Sequence, residues 1–313
     1  MESKKVRDTY IDIAKGIGML LVIYGHLAER SDFLRIIIYS FHMPLFFIIS
    51  GYYFNAQADF RAVLKKGLKQ IVAPAYLFLV LDFLLINHND DLTLKNIVNS
   101  LIFRGGVWWN SPIWFILALF QCRLMFILLN ENKIKWISLI MLLLCIIGFN
   151  KYLPTWWSIN AFICLPFFYL GYELKKIDAF EKTMNIDNIS LVIGLMLLIS
   201  ISLFNGYTDL NVHLNGKSFL FFAITAIFGT LVTINLSYRI WRKDLKLAKV
   251  FAMIGRNSLI VLLTHYYICR WVVPEIFGLD QRGILCNLIL TALISVLYGC
   301  VFRISHTPTH LIK

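Results

Sequence analysis

Residues 217–236 read KSFLFFAITAIFGTLVTINL, a stretch whose one charged residue is its first. An α-helix rises about 1.5 Å per residue, so this stretch is long enough to cross the ~30 Å hydrocarbon core of a bilayer. Lipid offers no hydrogen-bond partners to a bare backbone, so a spanning segment of this kind folds as a helix. The stretch therefore predicts a transmembrane helix.

The rest of the chain has the same apolar character. Of its 313 residues, 59% are hydrophobic and 15% are charged, and the mean hydropathy is +0.71. Soluble domains have roughly 45–50% apolar and about 25% charged residues. We therefore expect an all-α, polytopic integral membrane protein with about ten transmembrane helices, forming a single membrane-embedded domain over residues 1–313. The expected helices lie near 9–27, 33–53, 71–88, 113–129, 136–149, 158–173, 189–205, 217–236, 250–268 and 284–304.

The net charge of +12 would suggest nucleic-acid binding in a soluble protein. In a membrane protein, by contrast, the cytoplasmic loops are rich in Lys and Arg, and here the basic residues concentrate in alternate loops. We therefore expect no nucleic-acid partner. Both termini and the loops at 55–70 and 237–249 are predicted to face the cytoplasm. The turn at 87–91 and the Trp108-Trp109 pair then face outward, with the tryptophans as interface anchors.

The six cysteines are widely spaced along the sequence. Zinc sites and small disulfide frameworks place cysteines at characteristic short spacings. We therefore expect neither a bound metal nor a disulfide framework. The cysteines are predicted to be small apolar residues of the helices.

The first expected helix carries two ionisable residues, Lys15 and His26. Eleven positions at about 100° each bring them to one face of the helix, about 16 Å apart along its axis. Ionisable side chains inside a membrane helix are costly and tend to be functional. The structural alternatives are that Lys15 reaches back to the interface and pairs with Asp12, and that His26 caps the helix end.

The second expected helix contains His42 next to Pro44. A proline in midspan kinks the helix and frees a carbonyl, which is tolerated where a side chain or water satisfies that group. His42 is placed to be this partner, and a catalytic role is the alternative. Further along, Ser50-Gly51 is predicted to be a small-residue packing contact rather than a nucleophile.

Together these residues resemble the membrane acyltransferase-3 family, and within it bacterial fucose 4-O-acetylase-like proteins. The most specific element is a basic residue with a histidine eleven positions later, which in this chain is Lys15 and His26. The resemblance extends over essentially the whole chain. Its other elements are residues 41–47 (FHMPLFF), Ser50-Gly51, Trp114-Phe115, residues 167–172 (FFYLGY) and residues 255–259 (GRNSL) followed by His265.

The resemblance implies a multi-pass enzyme of the bacterial inner membrane. Such an enzyme takes an acyl group from a cytoplasmic donor, usually acetyl-CoA, and places it on a hydroxyl of a surface polysaccharide or lipid-linked glycan outside. The expected partners are therefore membrane lipid and that glycan. The motif histidine and basic residue correspond to His26 and Lys15. Many members have a tyrosine shortly before the late histidine, whereas this chain has Thr264 directly before His265.

Acyl transfer to a sugar hydroxyl needs a base and a group that stabilises the oxyanion. A neutral imidazole suits the base that deprotonates the attacking hydroxyl, and His26, at the outer end of its helix, is the candidate. The developing oxyanion needs hydrogen-bond donors, for which His42, His265 or helix amides are candidates.

The phosphates of CoA need cations at the cytoplasmic side. Three basic residues near cytoplasmic helix ends are candidates, namely Lys15, Arg123 and Arg256. The alternative for Arg256 is an anchor at the membrane interface, and the alternative for Arg123 is a structural role.

Two other classes of membrane protein share some of these features. A proton-coupled secondary transporter also has embedded Asp, Lys and His residues and a proline within a helix. Against it, the two halves of the chain show no repeated pair of broken helices. A membrane sensor or structural lipid-binding protein would have no dependence on His26.

Overall fold

The computed structural model describes residues 9–85, 98–104, 110–243, 246–277 and 283–305, most of which are helical. The predicted turn at 87–91 and the Trp108-Trp109 pair lie outside these ranges. The helices are α1 (Thr9–Leu27), α2 (Phe33–Tyr39), α3 (His42–Tyr52), α4 (Phe60–Gly67), α5 (Ala73–Leu85), α6 (Ile113–Leu128), α7 (Glu131–Ile146), α8 (Trp157–Lys176), α9 (Ala179–Met184), α10 (Asn188–Asn205), α11 (Phe219–Arg242), α12 (Lys246–Arg256), α13 (Ser258–Tyr267), α14 (Val273–Phe277) and α15 (Ile284–Ser305).

Short elements connect or continue these helices. Strands β1 (Thr208–Asp209) and β2 (Leu214–Asn215) pair antiparallel in the loop between α10 and α11. The remaining elements are π-helical segments at Leu68–Val72, Asn99–Arg104 and Ile268–Val272 and a 3-10 turn at Phe149–Tyr152.

Within the described ranges, six helical segments are long and apolar enough to cross a membrane. The prediction of an all-α, polytopic membrane protein is therefore confirmed. The total of about ten spans and the cytoplasmic location of the termini stay predictions. The six segments are Thr9–Leu27, Phe33–Tyr52, Asn188–Asn205, Phe219–Arg242, Ser258–Ile276 and Ile284–Phe302.

Helix α1 lies at the centre of the bundle, since 72% of its spanning window is buried, against 17% for α10. It packs on α12 with the two backbones in direct contact. A Cβ at Gly16 would lie 2.0 Å from the Phe251 carbonyl oxygen, and a Cβ at Gly255 would lie 1.8 Å from that of Asp12. Small residues allow this close approach between membrane helices. The contact fixes α1 against α12 along the length that carries Lys15.

The Ser50-Gly51 packing contact predicted from the sequence is confirmed at Gly51. A Cβ at Gly51 would lie 1.9 Å from the carbonyl oxygen of Phe168 on α8, and a Cβ at Gly171 would lie 2.0 Å from that of Ile48. Helices α3 and α8 therefore pack backbone to backbone.

The distortion predicted at Pro44 is present as a break in the second expected helix, within the turn that precedes the proline. Helix α2 ends at Tyr39 and α3 begins at His42, which puts Pro44 in the first turn of α3. Backbone N–H groups in a first turn have no acceptor within the helix, so proline costs little there. At the break, Ser40 Oγ donates to the Ile37 carbonyl at 2.7 Å and Thr225 Oγ1 donates to the Ser40 carbonyl at 3.2 Å.

Three contacts set the register of α1 against the α2–α3 segment. The Tyr10 and Tyr53 hydroxyls are 3.4 Å apart, Gly18 faces Phe46, and Gly25 faces the Tyr39 ring. As the residue number increases along α1, the number of the contacting residue in the α2–α3 segment decreases. Helix α1 and the α2–α3 segment therefore run antiparallel. Lys15 therefore lies toward the Tyr53 end of this pair, and His26 lies toward the Tyr39 end.

Candidate functional site

A cavity of about 500 Å³ lies among α1, α3, α4, α6 and α13. Lys15, Lys66 and Arg123 bring three basic side chains to its wall. None of the described residues lining it is Asp or Glu. Charge-assisted hydrogen bonds from such groups bind phosphates and carboxylates strongly, so this wall suits an anionic ligand.

Arg123 reaches the cavity from α6 and has donors to spare. Its Nη2 donates to Ser50 Oγ at 2.7 Å, and its Nε is buried with no hydrogen-bond partner in the described part of the chain. A buried donor without an acceptor costs about 1–3 kcal/mol. Arg123 thus joins α6 to α3 and keeps a donor at the cavity, and its contact with the acyl donor stays a prediction.

Lys66 is a cavity residue that the sequence analysis did not single out. It belongs to the basic stretch at 61–69, which served there only to predict a cytoplasmic loop. Helix α4 comes close to α6 at this point, because a Cβ at Gly67 would lie 2.0 Å from the Phe120 ring. Gly67, next to Lys66, indicates in the sequence that a close helix contact is possible. The sequence does not indicate which helix makes that contact.

Arg256 differs from the other two predicted donor-binding residues. Its Nε lies 3.1 Å from Asp12 Oδ2, and Asp12 is only 1% exposed. Arg256 does not line the cavity. Of the three predicted cations, Lys15 and Arg123 therefore meet at the cavity, whereas Arg256 joins α12 to α1.

Four apolar side chains line the cavity at its end away from Arg123, and we call them the ceiling. The ceiling consists of Met19, Phe46, Phe115 and Leu262. From Met19, α1 continues for about 10 Å before it reaches His26, and from Leu262, α13 continues for one turn before it reaches His265. The predicted base thus lies beyond the ceiling, and the cavity does not extend to it.

His26 and His265 form a pair at the far end of α1. Their ring centroids are 5.2 Å apart, and the Tyr266 ring meets the His26 ring edge-on at 5.0 Å. His26 occupies the last turn of α1 and His265 occupies α13. The structure therefore brings together two of the three predicted catalytic histidines.

The hydrogen bonds of His265 define its tautomer. Its Nδ1 lies 2.9 Å from the carbonyl oxygens of both Val261 and Leu262. A carbonyl oxygen accepts only, so Nδ1 carries the proton, and Nε2 of the neutral ring is an acceptor. This Nε2 is buried with no partner in the described ranges. Neutral His265 is thus built to accept a hydrogen bond rather than to donate one to an oxyanion.

His42 has the structural role that was one of its two predicted alternatives. Its Nδ1 lies 2.9 Å from the Ile38 carbonyl oxygen and donates to it, at the break between α2 and α3. Its ring packs on Tyr39 with centroids 4.7 Å apart. His42 lies within electrostatic range of His26. A direct catalytic role for His42 stays a prediction.

Arg35 and two tyrosines cover the His26 end of α1, and the sequence analysis missed them. Arg35 donates from Nη1 to the Ala28 carbonyl at 2.5 Å and from Nη2 to the hydroxyls of Tyr39 at 3.2 Å and Tyr207 at 3.3 Å. Nearby, burial raises the pKa of Asp209, which accepts from the Tyr207 hydroxyl. No sequence signal could reveal this cluster, because Tyr207 is 172 positions from Arg35.

Arg35 and Arg270 both lie within electrostatic range of His26. Both side chains bring positive charge close to the histidine pair. Among the described residues, no three His, Cys, Asp or Glu side chains are grouped so as to hold a metal ion.

Comparison with known proteins identifies the family. A model of the acyltransferase-3 family, described as an acyltransferase domain, matches residues 8–302. The nodulation protein NolL of Mesorhizobium japonicum is 38% identical over 89 residues, which cover 25% of this chain and 22% of that protein. The chain thus matches only about a fifth of that relative's length. No solved structure matches the chain significantly. Because the family model covers nearly all of the chain, and the described residues include six candidate spans, this chain is a multi-pass membrane protein that belongs to the acyltransferase-3 family.

Proposed function

We propose that this protein is an O-acyltransferase that moves an acetyl group from acetyl-CoA to a hydroxyl of a surface polysaccharide or lipid-linked glycan. Family membership makes acyl transfer the reaction class. The observation that carries the finer proposal is the arrangement along α1: a cavity walled by basic side chains at the Lys15 end and a histidine pair beyond the ceiling at the other.

The donor phosphates bind at the basic wall. CoA carries several phosphate oxygens, which Lys15, Lys66 and Arg123 neutralise through charge-assisted hydrogen bonds. The thioester arm then extends along the cavity toward the ceiling, and the rest of the path leads to His26. The distance from Lys15 to His26 along α1 is about 16 Å, so a long, flexible donor is required.

The chemistry takes place at the histidine pair. The acceptor hydroxyl attacks the thioester carbonyl carbon as His26 takes its proton. The carbon–sulfur bond then breaks, and the proton passes to the departing thiolate. The His265 Nε2 has no partner in the described residues and lies beside the His26 ring, so in the reacting state it would accept a hydrogen bond from His26 and orient the base. With both other histidines donating through Nδ1 to backbone carbonyls, we assign stabilisation of the oxyanion to the charges of Arg35 and Arg270.

This assignment requires one orientation in a bacterial inner membrane. The Lys15 end of α1 faces the cytoplasm, where acyl-CoA is made, and the His26 end faces the glycan outside. Fusions of alkaline phosphatase and of a cytoplasmic reporter after residues 57 and 243 test it, since both loops are expected inside. Phosphatase activity from either fusion would reverse the orientation and remove the donor assignment.

The decisive assay uses the purified protein in lipid nanodiscs with acetyl-CoA labelled in the acetyl group. Label is expected to appear in an extract of surface glycan and to be released by mild base, as an ester is. A transporter would move the glycan or a proton without transferring label. The proposal would be overturned if a folded protein, given a glycan that is acetylated in cells, produced no ester-linked label.

A further inference from the structure

The ceiling separates the place where the donor binds from the place where the acyl group must react. Phe46 is the ceiling residue through which α3 contacts α1. A Cβ at Gly18 would lie 2.8 Å from Phe46 Cζ and 3.1 Å from Leu45 Cδ2, so the ring tip rests on the bare backbone of α1 at this glycine. An acyl group that follows α1 from Lys15 toward His26 must pass this contact.

Phe115 is a buried part of the ceiling, whereas Phe46 is partly exposed. The Phe115 ring packs edge-on against Phe47 with centroids 5.2 Å apart, and Phe47 is fully buried. Phe46 is only partly buried, lines the cavity, and contacts Phe115 at 5.7 Å. Buried aromatic rings in close contact have little freedom to move, so a passage here opens mainly by rotation of Phe46.

We propose that Phe46 and Gly18 form a width filter for the acyl group, so that the enzyme takes narrow, unbranched and uncharged acyl donors such as acetyl-CoA. This inference rests on the proposed function and names its donor class. Rotation of one ring opens a gap wide enough for an unbranched acyl chain. An acyl chain with a branch at its second carbon is wider than this gap. A carboxylate, as in a succinyl group, would also lose its hydration against four apolar ceiling residues.

Two substitutions change the filter in opposite directions. Phe46→Leu removes most of the ring and widens the passage. Gly18→Ala adds a methyl group against the tip of Phe46 and narrows it. The clash in Gly18→Ala falls on the ends of side chains, and alanine is a better helix former than glycine. General damage to the fold would not shift selectivity in opposite directions in these two variants.

The cavity offers a matched control at its other end. Phe120 also lines the cavity and also packs on a glycine, because a Cβ at Gly67 would lie 2.0 Å from its ring. Phe120 lies on the Arg123 side and not in the ceiling. Phe120→Leu is therefore the same chemical change at a site that the acyl group does not need to pass.

The experiment compares kcat/KM for acetyl-, butyryl- and isobutyryl-CoA in the nanodisc assay, because the last two have the same atoms and differ in width. A poor fit by one carbon costs about 10–200-fold, so the unmodified protein is expected to prefer butyryl over isobutyryl by at least about tenfold. Phe46→Leu should reduce this ratio several-fold, Gly18→Ala should increase it, and Phe120→Leu should leave it unchanged.

Each outcome decides the matter. Acetyl transfer with a butyryl-to-isobutyryl ratio that is unchanged in Phe46→Leu, or that changes equally in Phe120→Leu, would overturn the filter and leave the proposed function intact. No acetyl transfer by the unmodified protein would overturn the proposed function and the filter together.

Discussion

At the Lys15 end of α1 three basic side chains face an open cavity, whereas at the His26 end polar groups are bonded to one another. Within the described residues both Arg123 and Arg35 have a buried Nε without a partner, but Arg123 makes one hydrogen bond, to Ser50, whereas Arg35 bonds to three oxygen atoms of the protein. At the cavity, Arg123 thus keeps a donor that a ligand can use, whereas the bonds of Arg35 fix its side chain in one geometry. Changes at the cavity end should therefore alter donor affinity, and changes at the histidine end should alter turnover.

The largest effect is expected at the base. His26→Ala should lower kcat for glycan acetylation by about 10²–10⁴-fold, the usual loss when a general base is removed. Binding of acetyl-CoA, measured by equilibrium dialysis in nanodiscs, should stay unchanged because the cavity ends short of His26. A well-folded His26→Ala protein with near-normal turnover would show that the base is misassigned, and His42 would become the next candidate.

A smaller effect is expected at the cavity wall. Lys15→Ala should raise KM for acetyl-CoA by about 10–100-fold, which corresponds to the loss of one charge-assisted hydrogen bond. Lys15→Arg should retain most of the affinity, because a phosphate needs a positive charge there. If Lys15→Ala leaves KM unchanged and only lowers the amount of protein in the membrane, the interface role for Lys15 is the correct one.

The roles of the two His265 ring nitrogens, Nδ1 in backbone hydrogen bonds and Nε2 as an acceptor, can be tested separately. His265→Asn retains an N–H for the backbone carbonyls and lacks the Nε2 acceptor, so we expect a normal protein level and a kcat about tenfold lower, the cost of one neutral hydrogen bond. His42→Asn, which likewise retains the bond to Ile38, is the matched control and should preserve more activity. Equal losses in the two variants would contradict an orienting role specific to His265.

The smallest effect on activity is expected at Arg256. Arg256→Gln removes the ion pair between Arg256 and the buried Asp12 carboxylate, and half of the Arg256 side chain is exposed. The expected cost is about 1 kcal/mol of stability, visible as a lower thermal unfolding midpoint in detergent. KM for acetyl-CoA should not change. A rise in KM like that of Lys15→Ala would mean that Arg256 contacts the donor after all.

The sequence predicted the all-α membrane fold and the Lys15–His26 axis because both follow from local periodicity. Apolar runs define spanning helices, and a separation of eleven positions places two side chains on one helix face. Gly51 was likewise readable as a packing contact. These features depend on residues close together in the chain.

Features that depend on contacts between distant segments were not predictable. At the α2–α3 break, side chains of Ser40, Thr225 and His42 satisfy the free carbonyls, and Thr225 is far away in the sequence. The pairing of Arg256 with Asp12 depends on the close packing of α12 on α1. The sequence alone therefore could not distinguish Arg256, which forms this ion pair, from Lys15 and Arg123, which line the cavity.

The backbone contact between α1 and α12 also limits how the molecule can move. Where Gly16 meets Phe251 and Gly255 meets Asp12, no side chain separates the two main chains. If one helix slid along the other, their backbone atoms would clash, so α1 and α12 move as one rigid unit. Any movement that lets the acyl group pass must therefore come from the helices packed against α1 and α12, above all from α3, which carries Phe46. Lys15 and His26 lie on one helix and keep a constant spacing throughout the catalytic cycle.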